Sequence, residues 1–169
     1  PEPKPNYLLI DKFILISELM QCQLTIVLNK IDLSVSDIEK PLSLYNQLGY
    51  EVIKISAKTK INEIKLIKKL QDHRSVLVGQ SGVGKSTITN LLLSSDKIKT
   101  RSLSAKSKKG KHTTTSTKIH LLNNDTFLID TPGIENLHPN IHLIDDIQKG
   151  FVEIYKDNFK CKYRDCSHL

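Results

Sequence analysis

Hydrophobic residues occur along the chain in two patterns: short continuous runs, and recurrences every three or four positions. The first pattern is typical of buried strands and the second of amphipathic helices. Runs and recurrences alternate from the N-terminus onward, which predicts an α/β fold with a mostly parallel sheet flanked by helices. The predicted strands are 24–28, 51–55 and 75–78, and the predicted helices are 8–20, 35–48, 61–70 and 88–93.

The second half of the chain departs from this alternation. Residues 116–122 and 126–129 predict two strands joined by Asn123-Asn-Asp125, a composition typical of a hairpin turn. Apolar residues then recur at helical spacing from Leu143 to Ile154 and predict one further helix. Gly150 lies inside that helix, where glycine costs about 1 kcal/mol relative to alanine.

The stretch Gly79-Gln-Ser-Gly-Val-Gly-Lys-Ser-Thr87 lies between a predicted strand and a predicted helix, and it contains the complete G-x-x-x-x-G-K-[ST] pattern of a P-loop. Glycines let consecutive backbone N–H groups point into one concavity, and the following helix adds the positive end of its dipole. We expect Lys85 to contact the β- and γ-phosphates and the Ser86 hydroxyl to bind Mg²⁺. The predicted phosphate-binding residues are Gly79, Gln80, Ser81, Gly82, Val83, Gly84, Lys85, Ser86 and Thr87.

Asn29-Lys-Ile-Asp32 follows the predicted strand 24–28 and indicates which base is bound. Guanine presents N1–H and N2–H₂ side by side, and one carboxylate can accept from both, whereas adenine offers no such pair. Asp32 is therefore predicted to read the base, while Asn29 ties the loop together and the Lys30 stem lies against the ring. Ser56-Ala-Lys58 would supply a backbone N–H to guanine O6. The predicted base-binding residues are Asn29, Lys30, Ile31, Asp32, Ser56, Ala57 and Lys58.

Asp130-Thr-Pro-Gly133 follows the last predicted strand and fits the D-x-x-G element of phosphoryl-transfer proteins. We expect Asp130 to bind Mg²⁺ through water and the Gly133 N–H to sense the γ-phosphate. In ordinary small GTPases the P-loop precedes the base-reading motifs, but here it follows them. Because ligands sit at the carboxyl ends of strands whatever the strand order, this arrangement predicts a circularly permuted P-loop GTPase fold.

Charge and cysteine content add two expectations. The net charge is +7, and residues 97–111 hold seven basic groups and no acid, so the rest of the chain balances at 18 basic against 18 acidic residues. Three cysteines, two of them close together at the C-terminus, indicate a metal site in a reducing compartment, hence a cytoplasmic protein. No apolar run is long enough for a membrane span and no leader is recognisable.

These motifs together resemble the bacterial small-ribosomal-subunit biogenesis GTPase family RsgA (YjeQ). The residues that carry the resemblance span nearly the whole chain: Asn29-Lys-Ile-Asp-Leu33, Gly79–Thr87, Gly110-Lys-His-Thr-Thr-Thr115, Asp130-Thr-Pro-Gly133 and Cys161-x4-Cys166-x-His168. The resemblance implies GTP hydrolysis stimulated by the 30S subunit and a late role in maturation of that subunit. Contact of the basic segment 97–111 with 16S rRNA is the expected basis of binding.

The family also implies a domain organisation. Residues 1–5 are expected to be a linker from an N-terminal OB-fold, residues 6–156 the circularly permuted GTPase domain, and residues 157–169 the truncated start of a zinc-binding helical domain. Cys161, Cys166 and His168 are ligands of suitable type for tetrahedral Zn²⁺. The family supplies a fourth cysteine beyond the position of Leu169, so we expect a weak or empty zinc site in this piece.

The residue that orients the attacking water is left open by the sequence. Ile134 follows Gly133 where Ras-type enzymes carry a glutamine, and an apolar side chain cannot orient water. His112 is the nearest catalytic candidate, because a neutral imidazole could hold or polarise the water; the alternative is an exposed loop histidine. Among Thr113–Thr115, Thr114 is preferred over Thr115 as a Mg²⁺ ligand.

Three other functions compete with a GTPase of the small subunit. One is a non-hydrolysing guanine-nucleotide switch that binds RNA or the ribosome, which Ile134 keeps open. Another is a circularly permuted GTPase of the large subunit, and the most remote is a P-loop ATPase. For each of these functions we expect a monomeric protein without a membrane partner. Its ligands would be GTP and GDP or another nucleotide.

Overall fold

The computed structural model describes residues 2–34, 36–95, 117–123, 125–135, 137–139 and 144–158. Within these ranges helices and strands alternate through the first half of the chain, and a hairpin and two short helices follow. The elements are α1 (Tyr7–Leu19), β1 (Thr25–Leu28), α2 (Ser36–Gln47), β2 (Glu51–Lys54), α3 (Glu63–Leu70), β3 (Arg74–Leu77), α4 (Lys85–Leu93), β4 (Lys118–Asn123), β5 (Thr126–Asp130), α5 (Ile144–Gly150) and α6 (Val152–Asn158).

The described strands form two sheets. In one, β1 runs parallel to β2, with Thr25 opposite Glu51 and Leu28 opposite Lys54. In the other, β5 lies between β3, to which it is parallel, and β4, to which it is antiparallel. The predicted α/β architecture with mostly parallel pairing is confirmed, and so is the β4–β5 hairpin. The division into two sheets was not predicted.

The two sheets share one hydrophobic core. Ile53 in β2, Leu66 in α3, Ile88 in α4 and Leu128 in β5 belong to a single buried cluster, so residues of both sheets pack on the same interior. Ile55, at the end of β2, is fully buried within it. A second cluster fills the space between α1, α2 and the first sheet. The predicted alternation of buried strands and amphipathic helices therefore produces a layered core of the expected kind.

Side-chain hydrogen bonds hold helix α1 in place: one caps its start, and two link it to buried tyrosines. The Asn6 side chain caps it by accepting the Leu9 N–H at 3.0 Å. Tyr45 donates its hydroxyl to Asp11 at 2.8 Å, and Tyr50 donates its hydroxyl to Glu18 at 3.0 Å. Burial, reinforced by these carboxylates, raises the pKa of both tyrosines, so both remain donors throughout the neutral range.

The single helix predicted through Gly150 is wrong. The structure ends α5 at Gly150 and begins α6 at Val152. A Cβ at Gly150 would overlap Leu15 Cδ1, so the close approach of α5 to α1 favours a residue without a side chain here.

No helix in the described part of the chain combines the length and apolar content needed to cross a bilayer.

Candidate functional site

The P-loop connects the end of β3 to the start of α4 in a conformation that needs glycine. Gly79, Gly82 and Gly84 all have positive φ, at 150°, 78° and 96°. Gly84 is also the N-cap of α4, and a Cβ there would overlap Asn29 Nδ2. The glycine spacing of the motif therefore serves both the curl of the loop and its contact with the loop after β1.

Lys85, the first residue of α4, folds back over the loop. It is only 7% exposed, and its ammonium donates to the Gly79 carbonyl at 2.8 Å and to the Gln80 carbonyl at 3.1 Å. Burial lowers the pKa of Lys85, and the nearby Asp130 carboxylate opposes that shift. The ammonium is thus held at the mouth of the loop by two weak acceptors that phosphate oxygens could replace.

Asn29 joins three loops. Its Nδ2 donates to the Val83 carbonyl of the P-loop at 3.1 Å, and its Oδ1 accepts the Ala57 N–H at 3.0 Å. Both amide functions of the side chain are therefore used, one on each neighbouring loop. The residue predicted to tie the base-binding loop together is in a position to do so.

Lys30 lies across the P-loop. Its φ of 67° turns the side chain toward Gly82, whose carbonyl accepts from the ammonium at 2.8 Å. The same ammonium donates to the Glu2 carbonyl. Gln80 contacts the same N-terminal segment, because its Nε2 donates to the Lys4 carbonyl at 2.9 Å. Residues 2–5 therefore lie against both nucleotide motifs, a contact that the sequence patterns did not predict.

Asp32 is held by Ser56. The Ser56 hydroxyl, which is fully buried, donates to Asp32 Oδ1 at 2.6 Å and accepts the Thr59 N–H at 3.1 Å. This hydrogen bond, with smaller contributions from Lys58 and Lys30, lowers the pKa of Asp32 despite the opposing effect of desolvation. The carboxylate is thus ionised, oriented and exposed, which suits an acceptor for a base.

The loop after β5 packs on the P-loop. Thr131 donates its hydroxyl to the Leu77 carbonyl at 2.8 Å, and the Ile134 N–H donates to the Gly79 carbonyl at 3.0 Å. A Cβ at Gly133 would approach Ser81 Cα to 2.9 Å. Only a residue without a side chain fits this contact. Thr131 positions this loop, and the sequence motif does not predict that role because position x of D-x-x-G carries no required chemistry.

Asp130 ends β5 and is 4% exposed. Three buried side-chain atoms of the described residues make no hydrogen bond: Asp130 Oδ1, Thr89 Oγ1 and His120 Nε2. Burial lowers the pKa of His120, and the Asp130 charge opposes that effect. The hairpin register could have revealed that His120 is a neighbour of Asp130. Lys118 lies opposite Asp130, and His120 is two residues farther along the same strand.

Several predicted site residues lie outside the described residues: His112, Thr114, the basic segment 97–111 and the proposed zinc ligands Cys161, Cys166 and His168. Among residues that the structure describes, no group of three His, Cys, Asp or Glu side chains could hold a metal ion.

The predicted motifs that lie within the described residues do come together. The structure places 29–32, 56–58, 79–87 and 130–133 at the carboxyl ends of their strands.

The chain matches the family model described as RsgA GTPase over residues 1–140. It is 38% identical over 165 residues to the small ribosomal subunit biogenesis GTPase RsgA of Haemophilus influenzae, covering 95% of this chain and 48% of that protein. It is 38% identical over 174 residues to the Pseudomonas putida protein of the same name, covering 99% of this chain and 50% of that protein. The chain thus spans about half the length of the curated relatives it matches.

Two crystal structures share the fold. YjeQ from Thermotoga maritima superposes with a TM-score of 0.72 at 28% identity, covering 99% of this chain and 56% of that one. YloQ, described as a circularly permuted GTPase, gives a TM-score of 0.70 at 25% identity, covering 99% of this chain and 53% of that one. The predicted circularly permuted GTPase fold is confirmed. The chain belongs to the RsgA GTPase family.

Proposed function

We propose that this chain binds guanine nucleotides and hydrolyses GTP as the GTPase unit of a protein that assists late maturation of the small ribosomal subunit. The observation that carries the proposal is the hydrogen bond from Asn29 to Val83, with Lys30 on Gly82 beside it. Base-reading and phosphate-binding motifs from distant parts of the chain thereby form one continuous surface.

Guanine recognition rests on Asp32, which accepts the base N1–H and N2–H₂ donors. Ser56 keeps that carboxylate ionised and oriented. The N–H groups of Ser56 and Ala57 already donate to the Ile61 carbonyl and to Asn29. The Lys58 N–H is therefore the donor assigned to guanine O6. The Lys30 stem covers one face of the ring.

Phosphate binding rests on the P-loop and Lys85, whose ammonium exchanges its two carbonyl acceptors for β- and γ-phosphate oxygens. The buried, unpartnered Asp130 Oδ1 fits a hydrated divalent cation, since it is an acidic oxygen with no protein donor among the described residues. Mg²⁺ held by Ser86, Thr114 and, through water, Asp130 would neutralise charge that develops on the phosphates.

Hydrolysis requires a group that orients water. The Ile134 N–H donates to the Gly79 carbonyl. The apolar side chain of Ile134 cannot orient a water molecule. His112 is the proposed water-orienting residue, with the Gly133 N–H on the γ-phosphate. Ile134 also favours the second candidate function, a guanine-nucleotide switch that binds the ribosome or RNA without turnover.

The ribosome is the proposed partner because both named relatives are small-subunit biogenesis GTPases. Lysines of segment 97–111 would contact 16S rRNA phosphates, a sequence-independent and salt-sensitive interaction. In the longer protein, an OB-fold would precede residue 6, and Zn²⁺ would bind Cys161, Cys166, His168 and one more ligand. Such a protein would act as a cytoplasmic monomer.

GTP turnover measured with and without 30S subunits tests the proposal. Stimulation by 30S that is lost in His112→Ala supports the enzyme and the role of His112. Stimulation that persists in His112→Ala removes only that residue's role. Nucleotide binding with no turnover under either condition supports the switch instead.

A further inference from the structure

The turn between β2 and α3 contains a lysine in a backbone conformation that lysine rarely adopts. Lys60 has a φ of 62°, in the left-handed region, and Asn62 has a φ of 59°. Glycine adopts such angles freely and asparagine tolerates them, whereas most other residues are strained there. The backbone of this turn therefore suits glycine at position 60 better than lysine.

A local hydrogen bond accounts for Asn62 but not for Lys60. The Asn62 side chain donates to the Lys54 carbonyl at 2.8 Å, and this bond offsets the strain of its backbone. Lys60 is exposed, and among the described residues its ammonium has no hydrogen-bond or ion-pair partner. Backbone strain without a local compensation is found mostly at functional sites. The Lys60 side chain therefore calls for a partner outside the chain.

Helix α3 follows this turn and carries two more exposed lysines. Lys65 and Lys68 are three residues apart, so they are neighbours on one face of the helix. Ile61 and Ile64 lie beside them, are 45% and 50% exposed and add no counter-charge. We call the three exposed lysines at positions 60, 65 and 68 the α3 basic surface.

Neighbouring acids do not neutralise the α3 basic surface. The ion pairs between described residues involve two other lysines, Lys54 and Lys69. Glu63 is the only acid of α3, and it is buried. Like charges three or four residues apart destabilise a helix, so Lys65 beside Lys68 is unfavourable in the free protein.

The helix dipole accounts for only one of the three lysines. Cations are favoured in the last turn of a helix and disfavoured near its first turn. Lys68 is in the last turn of α3, whereas Lys65 is its third residue and Lys60 precedes it. Charge repulsion and the dipole therefore oppose Lys65, and strain and the dipole oppose Lys60. An anion bound at this surface would offset these effects.

A hydrogen bond from α3 indicates which anion fits. Glu63 Oε1 accepts the Ser95 hydroxyl at 2.8 Å, and both side chains are buried. Lys97 follows Ser95 by two residues, which span at most about 7.6 Å of chain. The basic segment 97–111, already proposed to contact rRNA, is therefore entered from the first turn of α3. One RNA backbone fits both sets of lysines, and this favours RNA over an acidic protein.

We propose that Lys60, Lys65 and Lys68 bind phosphates of RNA and form a second contact surface beside the basic segment 97–111. The proposal rests on the ribosomal partner proposed above and adds a surface to it. Lysine acts as a point charge, so these contacts would supply affinity and orientation without reading sequence. Lys60 is two residues from Lys58, so RNA bound here would lie next to the loop assigned to guanine O6.

RNA titrations at several salt concentrations test the surface. The probe is a mixed-sequence RNA duplex of about 20 base pairs, and the protein is the whole 169-residue chain with GDP bound. The triple variant Lys60→Gln, Lys65→Gln, Lys68→Gln should bind about tenfold or more weakly than wild type at about 50 mM salt. The slope of log affinity against log salt concentration should become shallower by about two, because three phosphate contacts are lost.

A matched triple variant separates a local effect from the change in net charge. Lys40→Gln, Lys149→Gln, Lys156→Gln removes the same charge from exposed positions on α2, α5 and α6 and should change the slope by less than about one. GDP affinity should equal that of wild type in both variants, which shows that the nucleotide site is intact.

Two outcomes of these titrations would overturn the proposal. Equal losses of RNA affinity in the two triple variants would mean that only net charge matters. RNA affinity that stays at the wild-type level while 30S binding falls would assign the surface to a ribosomal protein. Neither outcome touches the proposed GTPase activity, which is judged separately by turnover.

Lys60→Gly separates binding from a structural role. Glycine relieves the strained φ, so the melting temperature should not fall, whereas the salt slope should become shallower by about 0.7–0.9. Asn62→Gly removes the hydrogen bond to the Lys54 carbonyl, so it should lower the melting temperature and leave the salt slope unchanged. A lower melting temperature in Lys60→Gly with unchanged RNA affinity would show that Lys60 serves the turn and would overturn its proposed role.

Discussion

Asn29 Nδ2 donates to the Val83 carbonyl at 3.1 Å, across 54 positions of sequence. The same side chain accepts the Ala57 N–H, so one amide fixes the P-loop and the loop after β2 relative to the loop after β1. In a permuted chain these loops are encoded in an unusual order, yet they meet at the carboxyl ends of their strands. Asn29 is therefore the residue that holds the proposed base-binding loops against the P-loop.

Asn29→Ala should weaken GDP binding by about tenfold and lower the free energy of unfolding by about 1–2 kcal/mol, because Val83 and Ala57 each lose a partner. Calorimetric titration and thermal unfolding measure the two effects. Asn46→Ala, on the exposed face of α2, is the matched control and should change neither. GDP affinity equal to wild type in Asn29→Ala would refute the linking role.

Ser56→Ala should make guanine binding more sensitive to acid. The Ser56 hydrogen bond lowers the pKa of Asp32, and in the proposed guanine site the ionised carboxylate accepts from the base. Binding is therefore present above that pKa and lost as the pH falls through it. Removing the bond raises the pKa, so the acid loss should begin at a higher pH than in wild type.

Titrating GDP at a series of pH values between neutral and about 4 locates that loss. Ser43→Ala removes a hydroxyl that is bonded to the Lys40 carbonyl on exposed α2, and it should leave the profile unchanged. A Ser56→Ala profile identical to wild type would mean that Asp32 is held by other groups.

Asp130→Asn should raise the thermal stability of the nucleotide-free protein and remove the effect of Mg²⁺ on GTP binding. The variant replaces a buried, unpartnered carboxylate oxygen by a neutral amide, so the nucleotide-free protein should melt about 2–4 °C higher. The tightening of GTP binding by Mg²⁺ should be lost at the same time. Asp125→Asn, in the exposed hairpin turn, should change neither quantity. A lower melting temperature in Asp130→Asn would show that its carboxylate stabilises the fold instead.

Gly133→Ala should slow GTP hydrolysis more than it weakens GDP binding. The new methyl group would lie about 2.9 Å from Ser81 Cα, forcing the loop after β5 away from the P-loop. GDP has no γ-phosphate for this loop to contact, so its affinity serves as the internal control. We expect turnover to fall by about tenfold or more from this displacement. Equal losses of GDP affinity and turnover would place the damage in the P-loop itself.

Short-range patterns predicted most of the fold, because hydrophobic period and strand-end motifs are local properties. The strands before Asn29 and Gly79 and the hairpin around Asp125 all occur where predicted. The sequence motifs were also recognisable, since each is defined within a few positions of chain; their binding roles remain predictions.

What escaped prediction depends on contacts between distant segments. Gly150 lies against Leu15 of α1, about 135 positions away, and the local apolar period does not encode that contact. Thr131 and His120 acquire roles only through the hairpin and P-loop packing. The division of the described strands into two sheets is a matter of strand pairing, which periodicity does not encode.

The proposed guanine specificity rests on Asp32, and one titration examines it: GDP against xanthosine diphosphate, on wild type and Asp32→Asn. Xanthine keeps N1–H but carries an oxygen at C2, which an asparagine amide can bond and a carboxylate would repel. Wild type should prefer GDP, and Asp32→Asn should reverse the preference, each by about 100-fold. Preference for GDP that survives unchanged in Asp32→Asn would contradict the assignment of Asp32 and with it the guanine site described above.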